Sequence, residues 1–370
     1  MIQKNKIKVC FVLQGAYPHF NPKINKIAGG AELQMFLLAT KLAENKNFEI
    51  SFIVGDYKQK EIETIKNVKL IKSFNAKRNH KFIKIFQAFK FLKIIKKEKP
   101  DVIISTTNNT LVFLSSIYSK FANVKHIHRI AHNNDTSYER IKEFGFLGKL
   151  YLIGMKKANI ILAQNEEQQK NLISNFNKKS ILLKNVFPIK NQETNNKKHI
   201  LWVGRFQNWK NPNLFIELAL KIKDEQFIMV CPYSKKDEKE WLKMKSATNN
   251  ISNINIIKEV PFNKIQNLFN EAKLFVNTSK QEGFPNTFLQ SAQAKTPIVS
   301  LNVNPDNFIN TYNCGIFCNN NFEKLIKETK LLLKDEDLLK TKGNNAFKYL
   351  DKNHNIEKIS KQLENIIKTL

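Results

Sequence analysis

The stretch Leu274-Phe-Val-Asn-Thr-Ser-Lys-Gln-Glu-Gly-Phe-Pro-Asn-Thr-Phe-Leu-Gln290 decides the fold. Leu274–Asn277 reads as a short strand buried on both faces. It ends in a polar loop containing Gly283 and Pro285 and reopens as a helix over Thr287–Ala294. A strand, a glycine-bearing loop and a helix in that order form the repeating unit of a doubly wound parallel sheet. Ligands of such sheets bind at the carboxyl ends of the strands, so reactive groups are expected in this loop. Gly283 permits a tight turn and close approach of the backbone. The helix N-terminus behind it offers N–H donors and a positive dipole end suited to a diphosphate. Glu282 stands at the loop apex, where a carboxylate meets sugar hydroxyls, and Gln290 lies about one turn inside the helix. Taken alone, the loop also fits a solvated turn ahead of a capped helix.

The same rhythm extends outward from this stretch in both directions. In the second half, strands are expected at Ile200–Val203, Phe227–Cys231, Asn255–Lys258 and Pro297–Leu301, with helices at Pro212–Ile222 and Phe262–Ala272 between them. Helices over Asn321–Leu339 and Ile356–Leu370 close the chain. In the first half, strands are expected at Ile7–Leu13, Phe48–Gly55, Val68–Ile71, Asp101–Ser105, Lys125–Arg129, Ile160–Ala163 and Ser180–Lys184. The polar, aperiodic run Lys190–Lys198 reads as a linker. The expected fold class is thus α/β, with two Rossmann-like doubly wound parallel-sheet domains facing across a cleft. Their expected bounds are 1–190 and 197–345, with 346–370 a C-terminal helix that packs back on the first domain.

Composition narrows the class of protein. At 370 residues, 42% hydrophobic and 25% charged, the chain has enough apolar content for two cored domains. The formal net charge is +29, which favours anionic substrates and surfaces. Lysine carries nearly all of it; arginine occurs only at Arg78, Arg129, Arg140 and Arg205. No apolar run reaches the ~18–20 residues of a membrane-spanning helix. The apolar core Val9–Leu13 is strand-sized and no small-residue cleavage site follows it. The four cysteines form no disulfide framework, consistent with a cytoplasmic location. Cys314 and Cys318 have a spacing that zinc sites use, but no second pair lies nearby, so both read as buried strand-end residues. Asp335-Glu-Asp337 reads as a solvated face within a helix.

Three further clusters carry chemistry. Trp202-Val-Gly-Arg-Phe-Gln-Asn-Trp-Lys-Asn-Pro212 follows a strand, and Pro212 is placed to open a helix. Gly204 permits close approach there, while Arg205 and Lys210 flank a potential anion site. Ile27-Ala-Gly-Gly-Ala-Glu-Leu-Gln34 places Gly29 and Gly30 at a helix start, where they could cradle a phosphate or an acceptor. There is no G-x-G-x-x-G dinucleotide fingerprint. Arg129-Ile-Ala-His-Asn-Asn-Asp135 offers His132 as a partner for a sugar hydroxyl or developing charge. His126, His128 and His132 lack a carboxylate at convincing metal-site spacing, so no metal is expected.

In order along the chain, Gly29–Glu32, His132, Gly204-Arg205…Lys210, and Ser279 with Glu282–Asn286 resemble the motifs of glycosyltransferase family 4, also called glycosyl transferases group 1. The resemblance spans nearly the whole chain and implies the GT-B fold. It implies a retaining, metal-independent, hexosyltransferase-like enzyme with no cofactor, moving a sugar from a nucleoside-diphosphate sugar to a glycan or lipid-linked acceptor. It further implies a role in cell-surface polysaccharide biosynthesis, as for lipopolysaccharide or capsule. Arg205 and Lys210 would hold the diphosphate, Glu282 the donor sugar and Gln290 the ribose. Gly204, Gly283, Phe284, Pro285, Asn286 and Thr287 would complete the donor site. His132 would face the donor sugar, and the acceptor would lie near Gly29 and Gly30. This sequence departs from the family at several positions. Gln290 replaces a glutamate, Lys295 a glycine, Asn304-Pro305-Asp306 a Gly-Gly turn, and Asn133 an acidic residue.

The segment 79–99 is basic and amphipathic. Phe82, Ile85, Phe86, Phe89 and Leu92 share the helical stripe expected to face the sheet, while Phe91, Ile94 and Ile95 widen the apolar surface. That widened, lysine-rich side is expected to touch anionic headgroups, making the protein peripheral on the inner face of the cytoplasmic membrane. Competing readings are a nucleotide-sugar epimerase of the same architecture, a basic nucleic-acid-binding protein and an inactive scaffold. No nucleic-acid reader motif is found, so no nucleic-acid partner is expected.

Overall fold

The computed structural model describes residues 6–24, 28–75, 81–190 and 196–370. Most of the expected linker (191–195), the first residues of the basic segment (79–80) and the side chains of Phe82 and Ile85 lie outside what is described. The chain divides into two compact units, residues 1–186 with 356–370, and residues 187–355.

Unit 1 is built on β1 (Ile7–Val12), β2 (Phe48–Val54), β3 (Ile62–Ile65), β4 (Val68–Lys72), β5 (Val102–Thr106), β6 (Lys125–Arg129), β7 (Ile160–Ala163) and β8 (Ile181–Leu182). They form one sheet in the order β3-β4-β2-β1-β5-β6-β7-β8. Every pairing is parallel except that of β3 with β4. Those two are joined by Lys66 and Asn67, both at positive φ (52° and 61°), the conformation a two-residue hairpin turn requires. β3, an edge strand with no buried residue, is not among the strands expected from the sequence.

Helices cover both faces of the sheet. Alternate residues of β1 face opposite ways, as the pleat dictates. Val9 and Phe11 join the core containing α2 residues Leu33 and Leu37 (α1 is Tyr17–Phe20, α2 Gly30–Leu42). Cys10 and Val12 pack with Phe91 and Ile95 of α3 (Lys81–Glu98). The remaining helices are α4 (Asn109–Ala122), α5 (Glu139–Phe144), α6 (Phe146–Lys156) and α7 (Glu166–Phe176).

The orientation of α3 corrects the sequence reading. Phe86 and Phe89, expected against the sheet, are 70% and 68% exposed, while Phe91 and Ile95 are fully buried. Both stripes are apolar, so periodicity could not choose between them; the pocket formed by Cys10, Val12, Ile53 and Ile103 takes Phe91 and Ile95.

Unit 2 carries β9 (His199–Val203), β10 (Gln226–Val230), β11 (Ile254–Ile257), β12 (Ala272–Asn277), β13 (Ile298–Ser300) and β14 (Gly315–Phe317) in the all-parallel order β11-β10-β9-β12-β13-β14. Its helices are α8 (Pro212–Lys221), α9 (Glu238–Ala247), α10 (Phe262–Asn270), α11 (Asn286–Gln293), α12 (Phe308–Thr311), α13 (Phe322–Leu333) and α14 (Glu336–His354). Leu201 and Phe275 face one core; Ile200, Trp202, Leu274 and Val276 face the other.

Asp335, read as part of a solvated helical face, instead begins α14: its carboxylate accepts the Leu338 N–H at 2.8 Å, an N-cap between two helices. Residues 346–354, placed by the sequence reading in a returning helix, belong to α14 in unit 2. The returning helix is α15 (Ile356–Lys368), whose Leu363, Ile366 and Ile367 share the unit 1 core with Leu33 and Leu37.

Two of the positions where the resemblance implies glycine keep a glycine-like backbone: Lys295 follows α11 at φ 50° and Asp306 has φ 51°, both left-handed. The four cysteines are buried and unbonded to one another, and burial pushes each thiol up to about 12. Among the described residues no helix is long and apolar enough to cross a membrane.

Candidate functional site

In unit 2 the chain runs outward from β9 to β10 and β11, then returns to place β12 on the other side of β9. Strand order therefore reverses between β9 and β12, and the loops that follow these two strands meet at the switch point where such sheets bind ligands. Those loops are the two motifs singled out in the sequence, 204–211 and 278–285.

Side chains and backbone lock the loops together. Lys280 N–H donates to the Trp209 carbonyl at 2.8 Å. The Thr278 hydroxyl lies 2.8 Å from the Lys210 carbonyl and 3.0 Å from that of Asn211, and it accepts the Trp202 indole N–H at 2.9 Å. Gly204 makes room for that indole, since a Cβ there would stand 2.8 Å from the ring.

On this frame Lys210 Nζ meets Glu282 Oε2 at 2.7 Å, with only 14% and 12% of the two side chains exposed. The other carboxylate oxygen accepts from the Ser279 hydroxyl at 2.7 Å and from Asn277 Nδ2 at 3.1 Å. Burial opposes ionisation of Glu282, but the Lys210 charge and the hydrogen bonds from Lys210, Ser279 and Asn277 outweigh it, so its pKa falls below the ordinary carboxylate value. Lys210 also stands 4.3 Å from the centre of the Trp209 ring. Arg205 precedes Lys210 on the same loop; it is exposed and makes no hydrogen bond or ion pair among the described residues.

Pro285 is the N-cap of α11 and supplies no side-chain hydrogen bond to it; Asn286 and Thr287 are the first helical residues. Phe284, expected in the donor site, turns its ring inward. Its ring is buried against Phe308 (5.4 Å between centroids) and His354 (4.5 Å), leaving only its backbone to face a ligand. Gly283 and Pro285 are buried beside it. Gln290 is 7% exposed, and its carbonyl accepts from Gln266. Asn277, Thr278 and Trp202 were not anticipated as parts of the site; their place at the ends of β9 and β12 was the available signal.

Unit 1 has its own switch point at β1, between β2 and β5. A cavity of about 460 Å³ opens beside the loops after these strands. Gln14, Gly15, Glu32, Asn108, Asn109 and Arg140 supply its polar lining; Phe74, Leu111, Leu114, Phe144 and Leu147 form an apolar wall. Gly29 and Gly30 do not line it. Gly29 takes an extended conformation as the N-cap of α2, and Gly30 is the first helical residue.

His132 is half-buried, and its Nδ1 accepts the Asn134 N–H at 3.2 Å. The other two histidines of that cluster are buried, and His126 Nδ1 has no hydrogen-bond partner among the described residues. Ser105 Oγ lies 2.7 Å from His126 Nε2 and 3.2 Å from His128 Nδ1, and His128 Nε2 lies 2.8 Å from the Tyr151 hydroxyl. Burial lowers the pKa of His126 to about 3 and, with the charges of His126 and Arg140, holds His128 well below its ordinary value.

Residues 184–349 match the family described as Glycosyl transferases group 1. Among curated protein sequences, none matches the chain. Solved structures similar to it include sucrose-phosphate synthase from Thermosynechococcus elongatus, with 13% identity, a TM-score of 0.79 and coverage of 98% of this chain and 99% of that one. Another is the Anabaena Alr3699/HepE protein in complex with UDP and glucose, with 14% identity, a TM-score of 0.74 and coverage of 98% and 100%. A third is WaaG, a glycosyltransferase involved in lipopolysaccharide biosynthesis, with 15% identity, a TM-score of 0.70 and coverage of 97% and 99%. At these identities the likeness speaks for the fold, and the family match speaks for the second half of the chain. Residues 184–349 are thus a glycosyl transferases group 1 domain, carried in a chain with the GT-B fold of two Rossmann-like domains.

Proposed function

We propose that this chain is a retaining glycosyltransferase that moves a sugar from a nucleoside-diphosphate sugar to a glycan or lipid-linked acceptor in cell-surface polysaccharide biosynthesis. The observation that carries this reading is the Lys210–Glu282 pair at the β9/β12 switch point, in the loop that leads into α11. A cation, a helix N-terminus and a carboxylate converge there, the set needed to hold a diphosphate and orient the sugar attached to it.

When the sugar–phosphate bond breaks, its electron pair passes to the diphosphate oxygen. Lys210 and Arg205 stabilise that charge, and Glu282 orients the sugar through its hydroxyls. Gln290 hydrogen-bonds the ribose, without the extra strength a carboxylate would give. The acceptor hydroxyl attacks the same face of the sugar and passes its proton to the departing phosphate. His132 steadies the sugar, and the acceptor occupies the unit 1 cavity, whose polar lining suits a glycan head and whose apolar wall suits an aglycone or lipid. Structures of two similar proteins are described with UDP, so UDP-sugars lead the donor candidates.

A thermal-shift screen against nucleotide-sugars tests the reading, repeated on Arg205→Ala. A donor-induced shift in the wild type that Arg205→Ala loses is expected; no shift with any donor counts against it. Anomeric configuration of the product, and its yield in chelator, test retention and metal independence. Conversion of the donor without an acceptor points to an epimerase instead.

We further propose that unit 1 rests on anionic lipid through the outer face of α3, where exposed Phe86 and Phe89 accompany Lys90 and Lys93. Equal flotation with neutral and anionic vesicles at low salt would rule this out.

A further inference from the structure

The Asp135 carboxylate is fully buried and joins two parts of unit 1. Oδ2 accepts the backbone N–H groups of Ala131 (3.1 Å) and His132 (3.0 Å). Oδ1 accepts from Arg140 Nη1 at 2.9 Å. The rest of the Arg140 guanidinium turns the other way. Its Nε and Nη2 donate to Asn109 Oδ1 at 3.0 and 2.6 Å, Nη2 also donates to the Thr107 carbonyl, and the plane lies 4.5 Å from the Phe144 ring centre. Thr107, Asn109, Arg140 and Phe144 all line the 460 Å³ cavity. His132 does not, yet one carboxylate and one guanidinium join its backbone to the cavity wall.

The ring of His132 is fixed by the same turn. A nitrogen that accepts a hydrogen bond carries no proton, so the Asn134 N–H on Nδ1 leaves the neutral ring protonated at Nε2. Asp135 holds the turn that presents that N–H, and Arg140 holds Asp135. Were Asp135 only a cap for this short turn, Arg140 would have no bearing on the imidazole.

We propose that Arg140 and Asp135 are positioning residues that set the orientation and tautomer of His132 and tie both to the occupancy of the unit 1 cavity. The functional part rests on the reading of His132 as a sugar-facing group; the structural part does not. A ligand that takes Asn109 or stacks on Phe144 pulls on the guanidinium and, through Asp135, on the backbone of residues 131 and 132. Lysine cannot reproduce the fork: it keeps a charge beside Asp135 but cannot also hold Asn109 and the Thr107 carbonyl.

The test is nitrogen NMR of the full chain labelled at histidine, on wild type, Asp135→Asn and Arg140→Lys, read together with sugar-transfer kinetics. In the wild type His132 is expected as the single Nε2–H tautomer. Both variants are expected to show a tautomer mixture, with kcat lowered about 10- to 100-fold and donor KM little changed. Arg140→Lys leaves the buried carboxylate a cation, so it decides the matter if Asp135→Asn fails to fold. A wild-type tautomer in a folded Arg140→Lys protein overturns the proposal, whatever the activity. If His132→Ala leaves transfer intact, the reading of His132 fails, while the tautomer result still decides whether the clamp exists.

Discussion

Lys210 Nζ stands 2.7 Å from Glu282 Oε2, so the cation proposed to grip the diphosphate is paired with the carboxylate proposed to grip the sugar. Removing either partner leaves the other poorly compensated in a site about seven-eighths covered. Lys210→Met and Glu282→Gln are each expected to cost about 1–3 kcal/mol in chemical denaturation. The double variant is expected to recover part of that loss but no donor-induced thermal shift. Strictly additive costs would show that the pair is not coupled.

The pH dependence follows from the same carboxylate. The pKa of Glu282 is lower folded than its ordinary value of 4.5, so the unfolded chain binds the proton more readily. Its contribution to stability is complete above that value and is lost as pH falls through the lower, folded pKa. Acid titration of the melting temperature is expected to be less steep below pH 4.5 in Glu282→Gln than in the wild type. Identical slopes would mean that the group does not titrate as stated.

Gly204→Ala is expected to destabilise unit 2 by about 1–3 kcal/mol and to perturb tryptophan fluorescence. The added methyl meets the Trp202 ring at 2.8 Å, and the bond from its indole N–H to Thr278 prevents the ring from swinging clear. Wild-type fluorescence and melting in this variant would place the indole elsewhere.

Lys295→Gly is expected to raise stability by up to about 1 kcal/mol, measured by urea denaturation. Lys295 follows α11 at φ 50°, a cost glycine avoids, although glycine also gains freedom in the unfolded chain. A clear loss would show that the Lys295 ammonium over the Phe347 ring outweighs the backbone term.

Two variants of α3, one with a single and one with a double phenylalanine substitution, should separate its faces. Phe91→Ala, fully buried, is expected to cost about 3–5 kcal/mol. Phe86→Ser with Phe89→Ser is expected to change stability little and to reduce binding to anionic vesicles. The reverse pattern in denaturation would restore the stripe first read from the sequence.

What the sequence revealed and what it hid have physical causes. β5, with five buried residues in a row, and β12 announced a sheet covered on both faces. Glycine, proline and a charge after β9 and β12 marked the two candidate loops, because those signals are local in sequence. Lys210 and Glu282 were each visible, but their contact joins loops some seventy residues apart that only the reversed strand order brings together. His132 was visible and its holder was not: Asp135 looked like one more polar turn residue, and Arg140 had no motif around it. α3 was misread because its apolar residues fill two stripes. The inward turn of the Phe284 ring was hidden because a motif shows which residues recur together without showing which of them face inward.

One consequence of α15 concerns how the protein is made. Leu363, Ile366 and Ile367 complete a core whose other members, such as Leu33 and Leu37, leave the ribosome more than three hundred residues earlier. The half of the molecule that is synthesised first is therefore finished last. Its apolar seat for α15 stays open throughout translation of unit 2, and a nascent chain stalled or clipped before Ile356 would leave that seat bare to chaperones and proteases.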